Sequence, residues 1–373
     1  MSLNYTGLKR LRRYKRDMSE RTAARLIKIR KRLEPLRDRK SDKTLLLATW
    51  NIRDFDSNKF GWGPRLDESY YYLAEIISTF DLISLQEINE DLRPLEKLMR
   101  ILGREWDYIV TDITEGSGGN KERMAYLWNT EKVWFRKQAG EIVLPNGQLI
   151  VTEKMTTTED GQEAMEKVEN QFARTPFLVA FQSGWFKFNL CTVHIYYGSA
   201  SGAKLKRRIA EIKRLVGFFK KRQNRENSRL KDSPERGQNY ILLGDFNTVS
   251  PEHETGKALK SHGFKIPDEI DGDLVRLEEG KYYDQIATRV IDPRFKVTGG
   301  GVVDMFQDVY RNTKADRELW APEIPADMEA DEPLTKRYKK WRTWQMSDHS
   351  PLWIEVQTDF SDSYLKRLKE QPT

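Results

Sequence analysis

The sequence predicts one large domain that mixes helices with many strands, of the α/β or α+β class. Three observations carry that expectation. Short apolar runs bounded by polar turns recur from residue 44 to residue 356, the pattern of buried strands. Between them lie stretches with apolar residues at helical spacing. No linker divides the 373 residues, and no repeat of fixed period appears. Hydrophobic residues make up 38% and charged residues 32%, enough apolar material for a core beneath a polar surface. No apolar run reaches the ~18 residues of a membrane span. The basic N-terminal stretch lacks the apolar centre and cleavage site of a secretory signal. The single cysteine, Cys191, cannot form an intrachain disulfide and fits a reducing, cytoplasmic compartment.

The net charge of +7 is unevenly placed. Residues 1–43 hold 16 Lys/Arg and 5 Asp/Glu, a net of +11, and the remainder is net −4. The basicity therefore belongs to an arm, which points to nucleic acid or another polyanion as partner. Leu26, Ile29, Leu33 and Leu36 recur at helical spacing, so the arm also reads as an amphipathic helix docked on the body. The expected division is a basic helical arm over 1–43, a catalytic domain over 44–358 and a polar tail over 359–373.

Residues 44–52 read as a buried strand, 66–80 as a helix and 81–86 as a second strand, a unit whose two strands should be neighbours. A helix over 92–102 is capped by Gly103. Strands over 106–110 and 124–128 flank a Gly-rich loop at 116–120. Residues 140–170 are polar and acidic, a possible hairpin and loop. Paired strands are expected over 177–181 and 186–195, a helix over 205–219, and a charged loop over 223–238. The run 239–248, NYILLGDFNT, reads as a buried strand turning at Gly244. Shorter elements follow at 282–288 and 302–310. Residues 315–340, rich in Pro and charge, read as a surface loop. A last strand covers 351–356.

Polar residues end these strands repeatedly. Asn51 and Glu87 close the first two, His194 a later one, and Asp245 with Asn247 the 239–248 run, while Asp348 and His349 precede the last. Each alone is ordinary turn chemistry; together they imply a site along one sheet edge. Oxygen-rich ligands without a Cys cluster or HExxH favour Mg²⁺, Mn²⁺ or Ca²⁺ over structural zinc. No dinucleotide fingerprint, P-loop or GxSxG is present. Metal-holding carboxylates with two histidines suit phosphodiester hydrolysis, which needs charge neutralisation, an activated water and an acid for the leaving oxygen.

These motifs, in order, resemble the endonuclease/exonuclease/phosphatase superfamily, and most nearly its deoxyribonuclease I-like branch. The segments are ATWNIRDF, DLISLQE, KERMAYLW, RTPFLVAF, CTVHIYYG with GDFN, YYDQIAT and SDHSPLWIEV, spanning residues 45–356. The resemblance implies a four-layer αββα sandwich, two mixed sheets face to face with helices outside, and a site at one rim. It implies that Asn51, Glu87 and Asp348 hold Mg²⁺ or a similar ion. It further implies that His349, oriented by Asp284, prepares the water and that His194, oriented by Glu122, protonates the leaving oxygen, roles that family members exchange. Asp245 and Asn247 would position a phosphate oxygen or the nucleophile, and Arg53 and Arg174 would contact phosphate. The implied activity is a metal-dependent phosphodiesterase, first an endonuclease acting on DNA. The alternatives are a phosphatase or phosphodiesterase for a small or lipid phosphate, and a non-catalytic polyanion-binding protein. The sequence departs from that branch at Asn89 and Asn120, where the branch has DNA-touching residues.

Overall fold

The computed structural model describes residues 3–114, 120–157, 162–229, 238–272 and 280–370. The chain begins with α1 (Thr6–Tyr14), α2 (Arg16–Arg37), β1 (Thr44–Phe55), α3 (Asp67–Ile77), β2 (Leu82–Ile88) and α4 (Arg93–Leu102). It continues through β3 (Trp106–Val110), β4 (Arg123–Asn129), β5 (Trp134–Glu141), β6 (Ile150–Thr157), β7 (Glu163–Asn170), β8 (Phe177–Ser183) and β9 (Phe186–His194). Then come α5 (Gly202–Arg229), β10 (Tyr240–Asp245), α6 (Glu254–Leu259), β11 (Asp284–Arg289) and β12 (Val297–Val302). The last elements are α7 (Lys314–Trp320), α8 (Leu334–Gln345), β13 (Leu352–Gln357) and α9 (Ser361–Glu370).

One sheet has the order β12-β13-β1-β2-β4-β3 and the other β11-β10-β9-β8-β5, with β6 and β7 as a separate hairpin. In each large sheet one central pair is parallel, β1 with β2 and β10 with β9, and the other pairings are antiparallel. β1 is apolar on both faces because both are covered. Leu45 and Leu47 point into the core between the sheets, with Tyr126, Phe181, Leu190 and Leu243. Leu46, Ala48, Trp50 and Ile52 point the other way, under α2, α3 and α4. On the second sheet, Ile212, Leu215, Val216 and Phe219 of α5 cover the outer face. The layers are therefore helix, sheet, sheet, helix, a DNase I-like α+β sandwich.

The arm's apolar stripe, Leu26, Ile29 and Leu33, lies in the same outer core as β1 and α3. Its arginines are matched to carboxylates of the body: Arg21 to Glu68 at 2.8 Å, Arg25 to Asp316 at 2.7 Å, and Arg37 to Glu75.

Several expected loops are ordered. The charged run from 223 continues α5 to Arg229, helped by an i,i+4 Arg222–Glu226 pair at 2.9 Å and by Gln223 Nε2 donating to the Gln238 carbonyl at 2.6 Å. The stretch 315–340 holds α7 and most of α8. Its composition hid Trp320 and Tyr338, which are fully buried; Trp320 packs on Tyr310, and Tyr338 on Trp341 just beyond the stretch. The short element expected over 302–310 is a 3₁₀ turn at Met305–Gln307, and the strand β12 lies before it, paired with β13. The C-terminal tail forms α9. Most of the Gly-rich loop at 116–120 lies outside the described residues.

Candidate active site

The site starts where β1 and β2 end. Asn51 is level with Gln86, and the register breaks immediately after. At the break Arg53, Asp54 and Glu87 take left-handed backbone angles, φ 47°, 43° and 63°. Side-chain-bearing residues adopt this region only when their surroundings hold them there. The local bonds do so. Asn51 Nδ2 donates to Glu87 Oε1 at 2.8 Å, the Asp54 N–H to Glu87 Oε2 at 2.9 Å, and the Arg53 N–H to Asn51 Oδ1 at 3.0 Å. Asn89 is turned inward, its amide donating to Asp54 at 2.8 Å.

The second sheet supplies the facing row. Asp245 is level with His194 of β9 and with Asp284 of β11. Gly244 lies within the strand, and the turn comes later, at Asn247 with φ 51°. Gly244 is needed for approach: its φ is +127°, and a Cβ there would lie 2.2 Å from the Val193 carbonyl oxygen. Gly244→Ala should destabilise the protein by about 3 kcal/mol, from overpacking and backbone strain together, as read by urea unfolding. After the strand, Asp245 Oδ1 accepts from the Asn247 N–H at 2.8 Å, and Asn247 Nδ2 donates to the Ile195 carbonyl at 2.7 Å.

Each histidine is held by its own buried carboxylate. His194 Nδ1 bonds Glu122 Oε2 at 2.8 Å, and His349 Nδ1 bonds Asp284 Oδ2. This fixes the tautomer and turns each Nε2 outward. Both reach the same oxygen: His194 Nε2 is 3.6 Å and His349 Nε2 3.9 Å from Asp245 Oδ2, which also accepts from Asn51 Nδ2 at 3.2 Å. Burial alone would lower the His349 pKa, but Asp284, Asp245 and Asp348 raise it to about 10. His194 is opposed by burial and Arg174, yet Glu122 and Asp245 carry it above the ordinary histidine value. Glu122 is pushed up by burial and pulled down further by His194 and Arg174, to about 2.

The two arginines are engaged within the protein. Arg174 Nε contacts Glu122 Oε1 at 2.5 Å, so this buried guanidinium backs the His194 dyad. Arg53 stacks on Trp344, with its guanidinium carbon 3.8 Å from the ring centroid, bonds Thr343, and lies 3.5 Å from Asp348. Phe60, half exposed, packs at a tilt against Trp344, with ring centroids 4.6 Å apart.

No family model and no curated protein matches this sequence. Solved structures do match. An endonuclease/exonuclease/phosphatase family protein from Bacteroides thetaiotaomicron aligns over 85% of this chain and 96% of its own, with 18% identity and a TM-score of 0.51. The mannosyl-6-phosphatase of the same organism aligns over 84% and 99%, with 18% identity and a TM-score of 0.50. This is the endonuclease/exonuclease/phosphatase fold.

Within that fold the donor set suits a divalent cation. Glu87, Glu122 and His194 offer ligand atoms within 4.8 Å of one another among the described residues. Both oxygens of Glu122 are held by cationic partners, His194 and Arg174, whereas those of Glu87 accept only from the neutral N–H groups of Asn51 and Asp54. The better-placed group is Asn51, Glu87 and Asp245, where two carboxylates converge on one amide nitrogen at 2.8 and 3.2 Å. Converging carboxylate oxygens without thiolates fit a hard divalent ion, Mg²⁺, Mn²⁺ or Ca²⁺ alike. Asp348 faces Arg53 at 3.5 Å and lies outside the Glu87, Glu122 and His194 group.

Sequence reasoning missed the supports. Arg208 is buried in α5 and donates to the carbonyls of Asn247 at 2.9 Å and Ser199 at 2.7 Å, fixing the loop after β10. Gln86 bridges the sheets beneath the site, donating to Ser84 Oγ at 2.8 Å and Thr192 Oγ1 at 2.9 Å. Trp344 lies just beyond the stretch 315–340, in residues for which the sequence predicts no element. Only the helical spacing of Trp341 and Trp344 could have drawn attention to it.

Proposed function

We propose that this protein is a divalent-metal-dependent phosphodiester hydrolase whose substrate is nucleic acid, with DNA first. The reading is carried by one observation: two buried histidines, each oriented through Nδ1 by its own carboxylate, present Nε2 to the same Asp245 oxygen. That arrangement offers two proton-carrying groups on one small reaction volume, one for the water and one for the leaving oxygen. Asp245 and Asn247 orient the nucleophile or a phosphate oxygen. Asn51 and Glu87, with Asp245 or Asp348, would hold the cation, which when bound neutralises phosphate charge and acidifies water. The Phe60–Trp344–Arg53 ladder beside Asn51 and Asp348 offers a flat aromatic and cationic face to a base next to the phosphate. The structure holds no helix long and apolar enough to cross a membrane among the described residues, and the lone buried Cys191 supports a cytoplasmic setting.

A second reading has its own support. One structural neighbour is named a mannosyl-6-phosphatase, and beyond residue 43 the chain is net acidic, which favours a small phosphate monoester. The two are separated by measuring hydrolysis of supercoiled plasmid, single-stranded DNA, bis-p-nitrophenyl phosphate and mannose 6-phosphate with Mg²⁺ or EDTA. The expected result is metal-dependent DNA and diester cleavage that His194→Ala abolishes. Release of phosphate from mannose 6-phosphate with DNA left intact would overturn it in favour of the monoester reading.

A further inference from the structure

The arm divides its charge into two uses. The arginines of α2 are spent on the body: Arg21, Arg25, Arg32 and Arg37 pair with Glu68, Asp316, Asp308 and Glu75. Those of α1 and the α1–α2 junction are not. Lys9, Arg10, Arg12, Arg13, Lys15 and Arg16 are all exposed. Among the described residues, only Arg12 and Arg16 of these have an ion-pair partner, both sharing Glu20 at 3.6 and 2.8 Å. Docking therefore explains α2, and it leaves the cations of α1 without a structural role.

One of them, Arg10, lines a cavity, and the others are exposed beside it on α1 and at its junction with α2. Between α1 and the body is a groove of about 410 Å³ lined by Arg10, Tyr14, Tyr71, Lys97 and Arg100. Its acid, Asp67, is matched by Lys97 at 2.6 Å. Arg10 and Arg100 have no carboxylate within ion-pair distance among the described residues. Tyr14 presents an aromatic ring that is 81% exposed. Unpaired cations beside an exposed aromatic ring in a concave surface are what a single nucleic-acid strand requires: charges for the phosphates and a face on which a base stacks. An anionic membrane fits less well. It cannot follow a groove, and Tyr14 is the exposed large hydrophobic of α1, too little to enter a bilayer.

One end of the groove is at Asp67, at the start of α3, and Arg65 just before it donates to the Arg53 carbonyl at 2.7 Å at the end of β1. Arg21 meets Glu68 at the start of α3, and Arg37 meets Glu75 near its end. The α1–α2 junction therefore lies at the end of α3 that follows β1 from the site. Lys97, on the groove wall, belongs to the helix that follows Glu87.

From this geometry we propose that α1 and α4 form a binding track for single-stranded nucleic acid, holding the substrate strand beyond the catalytic rim. The inference rests on the phosphodiesterase reading only for what enters the site, since binding is measurable without turnover.

The test uses the full chain and a fluorescein-labelled 30-nucleotide oligo-dT in EDTA, with affinity followed by fluorescence anisotropy across a salt series. The triple variant Arg10→Glu/Arg13→Glu/Lys15→Glu should bind at least ~10-fold more weakly. Its slope of log affinity against log salt should be smaller by about 2, since each phosphate contact contributes about 0.7. Tyr14→Ala should weaken binding roughly 5-fold or more. Both variants should keep wild-type hydrolysis of bis-p-nitrophenyl phosphate, which also reports that they are folded. His194→Ala should bind the oligonucleotide as wild type does. Unchanged oligonucleotide affinity and salt slope in the triple variant would overturn the track. So would α1-dependent binding to phosphatidylserine vesicles with none to the oligonucleotide. Charge-dependent oligonucleotide binding without diester hydrolysis by the wild type would leave the track standing and remove the catalytic reading.

Discussion

His349→Ala should lower turnover of a diester substrate by roughly 10²-fold or more, and it should also lower stability, because the buried Asp284 carboxylate loses its partner. The ring makes its closest contacts with Asp284 and stacks 5.9 Å from Tyr283, so its loss removes a proton carrier without opening the core between the sheets. The same residue predicts a pH effect. Its pKa is raised to about 10, so in metal-free protein the ring stays protonated through neutral pH. Its proton resonances should not titrate between pH 5 and 8. Stability from the charged pair is fully present below the unfolded histidine pKa of about 6.5 and is lost as pH rises toward 10. The stability difference between wild type and His349→Ala should therefore shrink over that window. A bound divalent cation repels the imidazolium and lowers its pKa, so Mg²⁺ should move the titration toward neutrality. A His349 that titrates near pH 6.5 without metal would sink this account of the dyad. Its partner Asp284 is raised by burial, with His349 opposing, and together they share a proton that neither releases readily.

What the sequence made legible was the ends of strands. A run such as YILLGDFN must be buried because it is apolar on both faces, and where it stops the chain has left the sandwich. Asn51, Glu87, His194 and Asp245 could be placed on one rim for that reason. Strand register then did the rest, setting His194, Asp245 and Asp284 level across three neighbours. What stayed hidden has a common cause: the information is in pairings between distant segments. Nothing local in α8 says that Trp344 carries Arg53, 291 positions earlier in the chain. Gln86 reads as a polar interruption until Thr192 faces it from the other sheet. The stretch 315–340 was misread because proline and charge dominate its composition. Its two aromatic anchors, Trp320 and Tyr338, are 18 positions apart, too far to give a periodic signal. Arg174 carried a different ambiguity. An arginine near a phosphate site reads as a phosphate contact, but here its guanidinium holds a carboxylate.

That carboxylate gives the second large effect. Glu122→Ala should remove both the orientation of His194 and the counter-charge of Arg174. The guanidinium would remain buried with its partner gone, a loss that costs about 3–5 kcal/mol when one member of a buried pair is deleted. Urea unfolding should register this, and turnover should fall by ~10²-fold or more because His194 Nδ1 is no longer fixed. Glu122→Gln separates the two contributions. Its amide oxygen can still accept from His194 or from Arg174 but supplies no charge, so stability should fall less than in Glu122→Ala while activity remains low. Acid should erase the difference. The Glu122 pKa is held at about 2, below its ordinary value, so its contribution is present above the unfolded carboxyl pKa of about 4.3. That contribution is lost as pH falls toward 2. Wild type and Glu122→Gln should thus converge in stability across that acidic range and diverge above it. If the two were equally stable at pH 7, Arg174 would have no need of the carboxylate. Glu122 would then be a local hydrogen-bond acceptor for His194 and not the charge on which both side chains depend.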